Sequence, residues 1–192
     1  MYRAVLDTCA LVPGLQRDFL LQLAAEQTYS PLWGTGILHE LDYVLERLDA
    51  AREVPDSEAR RSHLFTQMQR AFPGACIEAP KNGDYTHYQL LDPDDGHVAH
   101  AAIMGKADAI VTDDRRAGFD ISPTLASAQV EVLRPQTFAA NTVVAHLEAG
   151  SRALHALANR STAPPRTPQQ ILHLLAAKHQ MTEVAELLDH SV

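Results

Sequence analysis

Acids stand at four places in this chain where chemistry would need them. Asp7 closes the opening segment MYRAVLD, Glu40 lies in ILHEL, Asp95 stands in DPDDGHVAHAA, and Asp113 and Asp114 close ADAIVTDD. Two of these segments end an apolar run, where a strand would hand its last residue to solvent. In open α/β sheets ligands collect beyond the carboxyl ends of the strands, so Asp7 and the Asp113–Asp114 pair can be neighbours, given the right strand order. Asp95 shares a helix face with Val98, Ala99 and Ala102, so it begins a buried stripe, whereas Asp94, one step round, reads as an acid favoured by the helix dipole. Glu40 lies on the flank of the apolar stripe of its helix, roughly 40° from Val44, and Asp42, Glu46 and Asp49 read as a solvated face. Spacing alone does not choose between Asp113 and Asp114.

Carboxylates gathered in one place repel; a pair near 4 Å costs on the order of 4 kcal/mol at a surface-like dielectric. Divalent cations relieve that repulsion, and hard ions such as Mg2+ or Mn2+ prefer oxygen ligands. A metal pair held by carboxylates is a device for phosphoryl transfer, activating water and stabilising charge on the phosphate. The ten histidines form no zinc spacing. His97 and His100 point away from the Asp95 face and read as solvated. Strand-end acids without a His or Cys cluster therefore favour phosphodiester chemistry over zinc hydrolysis.

The elements that would position these acids alternate. Strands are expected at Tyr2 to Leu6, Tyr29 to Leu32, Ala75 to Glu78, Asp108 to Thr112 and Gln129 to Leu133, with helices over Arg17 to Glu26, from Gly36 onward and over 56 to 71. Asp92 suits a helix N-cap, Pro93 the first helical position and Gly105 the exit. This order predicts an α/β fold with a mostly parallel central sheet flanked by helices. Beyond Arg134 only helices are expected: one over Phe138 to Ala158, and a last stretch with Ile171, Leu174, Leu175, Val184 and Leu187, opened by a capping box at Thr167-Pro168-Gln169-Gln170. The division is a domain over 1–134 and a small helical C-terminal extension over 135–192.

With 192 residues, 46% of them hydrophobic and 21% charged, the chain is long enough to bury a real core. A net charge of −8 argues against holding nucleic acid by bulk electrostatics, but not against an enzyme that meets phosphate through bound cations. The early Asp7 argues against a signal peptide, and two cysteines make no disulfide framework, so a cytoplasmic setting is expected. Cys9 reads as a small buried hydrophobe.

Read together, VLDTCALVPGLQRDFLLQLA, PLWGTGILHEL, DPDDGHVAHAA and ADAIVTDDRRAGF resemble, in order, the motifs of PIN-domain ribonucleases of the VapC toxin type, over roughly residues 3 to 119. The step from the fourth acid to Phe119 is longer here than in the subgroup. The segment PPRTPQQILHLLA is also similar to the helical tail of one PIN subgroup. The resemblance implies a PIN-like nuclease domain and a metal-dependent endoribonuclease whose acid quartet is Asp7, Glu40, Asp95 and Asp114. Asp7, Asp95 and Asp114 would be the metal ligands, for Mg2+ or Mn2+, and Glu40 an outer ligand or positioner of water. Asp113 then falls at a variable position, Thr8 matches the small polar residue beside the first acid, and Arg17 matches a recurrent arginine. RNA as substrate, a cognate antitoxin from a toxin–antitoxin pair and a homodimer are implied with it. Arg115 and Arg116, beside the fourth acid, would meet the RNA backbone, with Arg52, Arg60, Arg61 and Arg70 as further rim candidates. The alternative is a PIN scaffold that binds RNA or a partner without cutting, although every acid position is filled. A dehalogenase-like phosphatase would need an acid where Cys9 stands.

Overall fold

The two most apolar strands lie at the centre of the sheet. In the computed structural model, which describes residues 1–81 and 83–189, strand β1 (Arg3–Leu6) carries Ala4, Val5 and Leu6, and strand β4 (Ala109–Val111) carries Ala109, Ile110 and Val111, all fully buried. Continuous apolar runs of this kind are what a strand covered on both faces requires. Among the described residues the sheet has five strands, all parallel, in the order β3-β2-β1-β4-β5, with β2 at Ser30–Gly34, β3 at Cys76–Ile77 and β5 at Glu131–Leu133. The edge strands β3 and β5 are only partly covered. This is the α/β architecture expected from the alternating elements, with the last three residues of the expected extension, 190–192, outside the described residues.

The pairing of β1 with β4 sets Ala4 against Ala109, Val5 against Ile110 and Leu6 against Val111. One register step further, Asp7 N–H donates to the Val111 carbonyl at 3.1 Å, so the residues after both strands emerge side by side. The chain leaves β1 towards β2 on one side, and only after β3 crosses to β4 on the other. The β1/β4 seam is therefore the switch point of the sheet, where such folds place their ligands.

The chain folds as two compact units. One comprises Arg3–Val12 and Pro31–Val132; the other comprises Met1–Tyr2, Pro13–Ser30 and the chain from Leu133 on. The first holds the sheet, the single-turn helix α1 (Thr8–Leu11), and helices α3 (Thr35–Ala51), α4 (Ser57–Ala71), α5 (Gly96–Gly105) and α6 (Pro123–Ser127). The second holds α2 (Gly14–Ala25), α7 (Pro135–Ala145), α8 (Leu147–Arg160), α9 (Pro168–His179) and α10 (Thr182–Leu188). Phe19, Leu20 and Leu23 of α2 are fully buried in it, and Tyr29 packs edge-on to Phe138 with ring centroids 4.8 Å apart. Where the sequence suggests one helix over Phe138 to Ala158, the chain breaks at His146, which lets α7 pack on α10 while α8 packs on α2 and α9. The last helical stretch also divides, at Gln180. The capping box at α9 forms in full: Thr167 Oγ1 accepts from Gln170 N–H at 3.2 Å, and Gln170 Oε1 accepts from Thr167 N–H at 2.9 Å.

The acidic face of α3 is partly engaged by a neighbouring helix. Helix α4 packs on it: Arg61 Nε pairs with Asp42 at 2.7 Å and its Nη2 with Glu46 at 3.8 Å, while Ser57 Oγ donates to Asp49 at 2.6 Å. Arg61 is thereby engaged within the helix pair instead of lying on a rim for RNA. Amphipathicity finds a buried face, but not a second helix that covers the polar one.

Candidate active site

Asp7 is built into the seam before any ligand arrives. It N-caps α1, so its Oδ1 accepts from Thr8 N–H at 2.6 Å, while Oδ2 accepts from the Thr112 hydroxyl at 2.6 Å and from the Cys9 thiol at 3.2 Å. Only 6% of the residue is exposed. Burial raises its pKa above the ordinary range, the three donors oppose that, and the Glu40 charge adds to it. A buried carboxylate pinned by three donors is oriented, not loose.

Thr112 and Cys9 are the contributors that sequence reasoning missed. Thr112 Oγ1 donates to Asp7 and accepts from Asp114 N–H at 2.9 Å, so one hydroxyl ties the acid after β1 to the acid after β4. A polar residue closing the apolar run AIV was the available signal. Cys9 is not the inert hydrophobe its setting suggested: its sulfur donates to Asp7 and accepts from Asp113 N–H at 3.1 Å. Burial and the Asp7 charge push its pKa up to about 12, which keeps it a thiol and a donor.

The loop after β4 separates the paired acids. Asp113 is exposed and offers its backbone to Cys9, whereas Asp114 is half-buried, with its Oδ1 accepting from Arg116 N–H at 2.7 Å. Arg115 and Arg116 are both exposed on the same loop. Arg17 belongs to α2, in the other unit, with its Nε 3.3 Å from Asp18.

Asp95 arrives on α5 through a capped entry. Asp92 Oδ1 accepts from Asp94 N–H at 3.0 Å, Pro93–Asp95 forms a tight helical turn, and α5 follows from Gly96. Val98, Ala99 and Ala102 on its face are fully buried, which places the half-buried Asp95 at the head of the stripe. Its pKa is raised from 3.8 to about 6, first by burial and then by the charges of Asp114, Asp7 and Asp92. The acids of three separate segments thus share one electrostatic neighbourhood.

Glu40 reaches that neighbourhood from α3. Its Oε2 accepts from the Thr8 hydroxyl at 2.6 Å and stands 3.5 Å from His97 Nε2, and the His97 interaction leads the effects that hold its pKa low. His97 is not the solvated residue expected of it. Its Nδ1 donates to the Asp94 carbonyl at 2.9 Å, its side chain is 14% exposed, and Nε2 has no hydrogen-bond partner among the described residues. Burial alone would lower its pKa; Glu40, the Asp94 carbonyl and Asp7 outweigh that and raise it.

His100 is likewise buried. Its Nε2 donates to the Glu78 carbonyl at 3.0 Å, which leaves Nδ1 to accept from the Tyr88 hydroxyl at 2.8 Å. Ser122 Oγ in turn donates to the Tyr88 carbonyl at 2.9 Å. This tether lays the segment before Asp92 along α5, where Tyr85 rests against Gly96 so closely that a Cβ on Gly96 would collide with the Tyr85 Cβ. Tyr88→Phe would leave the buried His100 nitrogen without its donor; a thermal or denaturant melt should show a loss of about 1–2 kcal/mol.

As the side chains stand, no group of three or more His, Cys, Asp or Glu among the described residues is close enough together to hold a metal ion. The donor set nonetheless suits a hard divalent cation, because it is all carboxylate and its members raise one another's cost of ionisation. No helix among the described residues is long and apolar enough to cross a membrane.

Among the described residues, a five-stranded parallel sheet with acids beyond the carboxyl ends of its central strands is the setting in which open α/β proteins collect their ligands. A family profile described as PIN domain matches residues 3–116, and the chain belongs to that family. PIN domains are typically nucleases and generally bind divalent metals. No curated protein and no solved structure gave a match.

Proposed function

We propose that this protein is a metal-dependent endoribonuclease that hydrolyses RNA phosphodiester bonds with water as nucleophile, and that it is the VapC-type toxin of a toxin–antitoxin pair. The observation that carries the catalytic reading is the seam itself: Thr112 Oγ1 donates to Asp7 and accepts from Asp114 N–H, so the acids after β1 and β4 are held together, with the half-buried Asp95 close enough to feel both charges. Asp7, Asp95 and Asp114 would hold Mg2+ or Mn2+, which supplies charge neutralisation at the phosphate and a more acidic bound water. Thr8, Thr112 and Cys9 fix how Asp7 presents its oxygens, and Thr8 also restrains Glu40, which would receive and orient water at the edge of the cluster. The exposed Arg115 and Arg116, on the loop that delivers Asp114, would face the RNA backbone, and Arg17 would add to them. The toxin role, the antitoxin and a homodimer rest on the four motifs in order; co-purification with a neighbouring gene product and the mass in solution test them.

Metal and proton should compete at Asp95. Its folded value lies above the ordinary 3.8, so without metal the protonated form favours the fold, and the contribution is lost as pH rises from about 4 through about 6. Asp7 is shifted in the same direction. Melting curves in Mn2+ should therefore show a larger stabilisation at pH 7.5 than at pH 5.5, approaching about 2.7 kcal/mol when Mn2+ reaches a hundredfold excess over its Kd. Absence of any shift at millimolar Mn2+ would favour a scaffold that binds without cutting.

A further inference from the structure

Helices α3 and α5 approach one another with a glycine in the way of nothing. A Cβ on Gly36 would lie 2.8 Å from His97 Cβ and 2.9 Å from both Cγ and Cδ2, so the ring of His97 occupies the space that any other residue at 36 would fill. Two residues earlier, a Cβ on Gly34 would stand 3.3 Å from Ala101 Cβ, so the close approach continues along α5. Gly36 and Glu40 are one turn apart on α3, which puts the notch and the carboxylate on the same face. His97 is held at the other side of its ring by Nδ1, which donates to the Asp94 carbonyl at 2.9 Å. With the ring seated in the notch and tied to that carbonyl, Nε2 is left directed at Glu40 Oε2, 3.5 Å away, and has no other partner among the described residues.

Glu40 needs such a neighbour. Its side chain is 44% exposed, and apart from the Thr8 hydroxyl little restrains a long carboxylate that could turn to solvent. We propose that His97 is a positioning residue for the nuclease site, keyed into the Gly36 notch so that it fixes Glu40 on α3 relative to Asp95 at the head of α5. The inference rests on the nuclease reading above. It is steric: Nδ1 carries its hydrogen whether or not the ring is charged, so the notch and the carbonyl seat the ring, and with it the spacing of α3 from α5, in either state. Residues that orient a ligand without touching the ion typically matter by about 10–100-fold in affinity or rate.

A double-mutant cycle on the full chain tests it, using Gly36→Ala, His97→Ala, the pair of them together, and His97→Gln. Four quantities are read for each: the metal-free Tm, the Mn2+ affinity from melts at increasing Mn2+, and kcat and KM on RNA. His97→Ala is expected to weaken Mn2+ binding and to lower kcat about tenfold with little change in KM. Gly36→Ala should do the same by displacing the ring, yet add nothing once His97 is Ala, because no ring remains to displace; the metal-free Tm should show the same non-additivity. His97→Gln, whose side chain partly refills the notch, should recover part of the loss and also covers the case in which the alanine variant folds poorly. If His97→Ala and His97→Gln match the wild type in Mn2+ affinity and kcat, or if the Gly36 and His97 effects simply add, the keyed ring is refuted while the nuclease reading stands. A lower Tm with Mn2+ affinity and kcat unchanged would make His97 mere packing and refute it equally. Wild-type protein that neither binds Mn2+ nor cuts RNA would overturn the nuclease reading and this inference with it.

Discussion

Asp7→Asn is expected to lower RNA cleavage on the order of a thousandfold or more, the several kcal/mol of charge stabilisation that an ion held by that carboxylate supplies. The same variant should keep its fold. Asn retains one acceptor for the Thr8 N–H or the Thr112 hydroxyl, and it removes a buried charge whose ionisation is opposed by burial and by Glu40. Its metal-free Tm should accordingly equal or exceed that of the wild type, while its Tm should no longer respond to Mn2+. Single-turnover cleavage of a labelled RNA, with melts in parallel, reads all three. Cleavage at the wild-type rate by folded Asp7→Asn protein would remove Asp7 from the site, and with it the reason to place an ion at the β1/β4 seam.

Gly96→Ala should be the most damaging of the small substitutions, costing about 3 kcal/mol, the upper end for overpacking. Its φ of −57° suits any residue, so the penalty is purely one of space. The added methyl would strike the Cβ of Tyr85, an atom fixed to the backbone that no rotamer change can withdraw. To relieve the clash, the segment carrying Tyr85 and Tyr88 must lift from α5, which strains the Tyr88–His100–Glu78 tether and disturbs the turn that delivers Asp95. A denaturant melt measures the first effect, and reduced cleavage at saturating Mn2+ the second. A stability within about 0.5 kcal/mol of the wild type, the range of an innocuous surface change, would show that the segment yields freely.

What the sequence disclosed and what it withheld divide along a physical line. Local signals were legible: Asp92 and Pro93 open a helix as their side-chain chemistry demands, Thr167 and Gln170 cap one another, and the continuous apolar runs of β1 and β4 mark central strands. Asp7 and the Asp113–Asp114 pair followed from those elements, because the positions after two buried parallel strands converge whenever the strands pair; Glu40 rested on the family resemblance alone. Tertiary partners were not legible. Nothing near His97 in sequence announces a glycine notch at position 36, and nothing near Arg61 announces Asp42 on another helix. Cys9 resembled a small core residue because Thr112 and Asp113, which also meet its sulfur, are brought to it only by the sheet. The break at His146 is equally a matter of which helices lie beneath, since the helical periodicity runs through it.

The hydroxyl of Thr112 sets an order of events during synthesis. The group that orients the second oxygen of Asp7 follows it by 105 residues and can reach it only when β1 and β4 have paired. Closing so long a loop is among the slower steps available to a domain of this size. The nascent chain therefore carries Asp7 before it carries a site: until the central strand pair closes, Asp7 is one carboxylate among many.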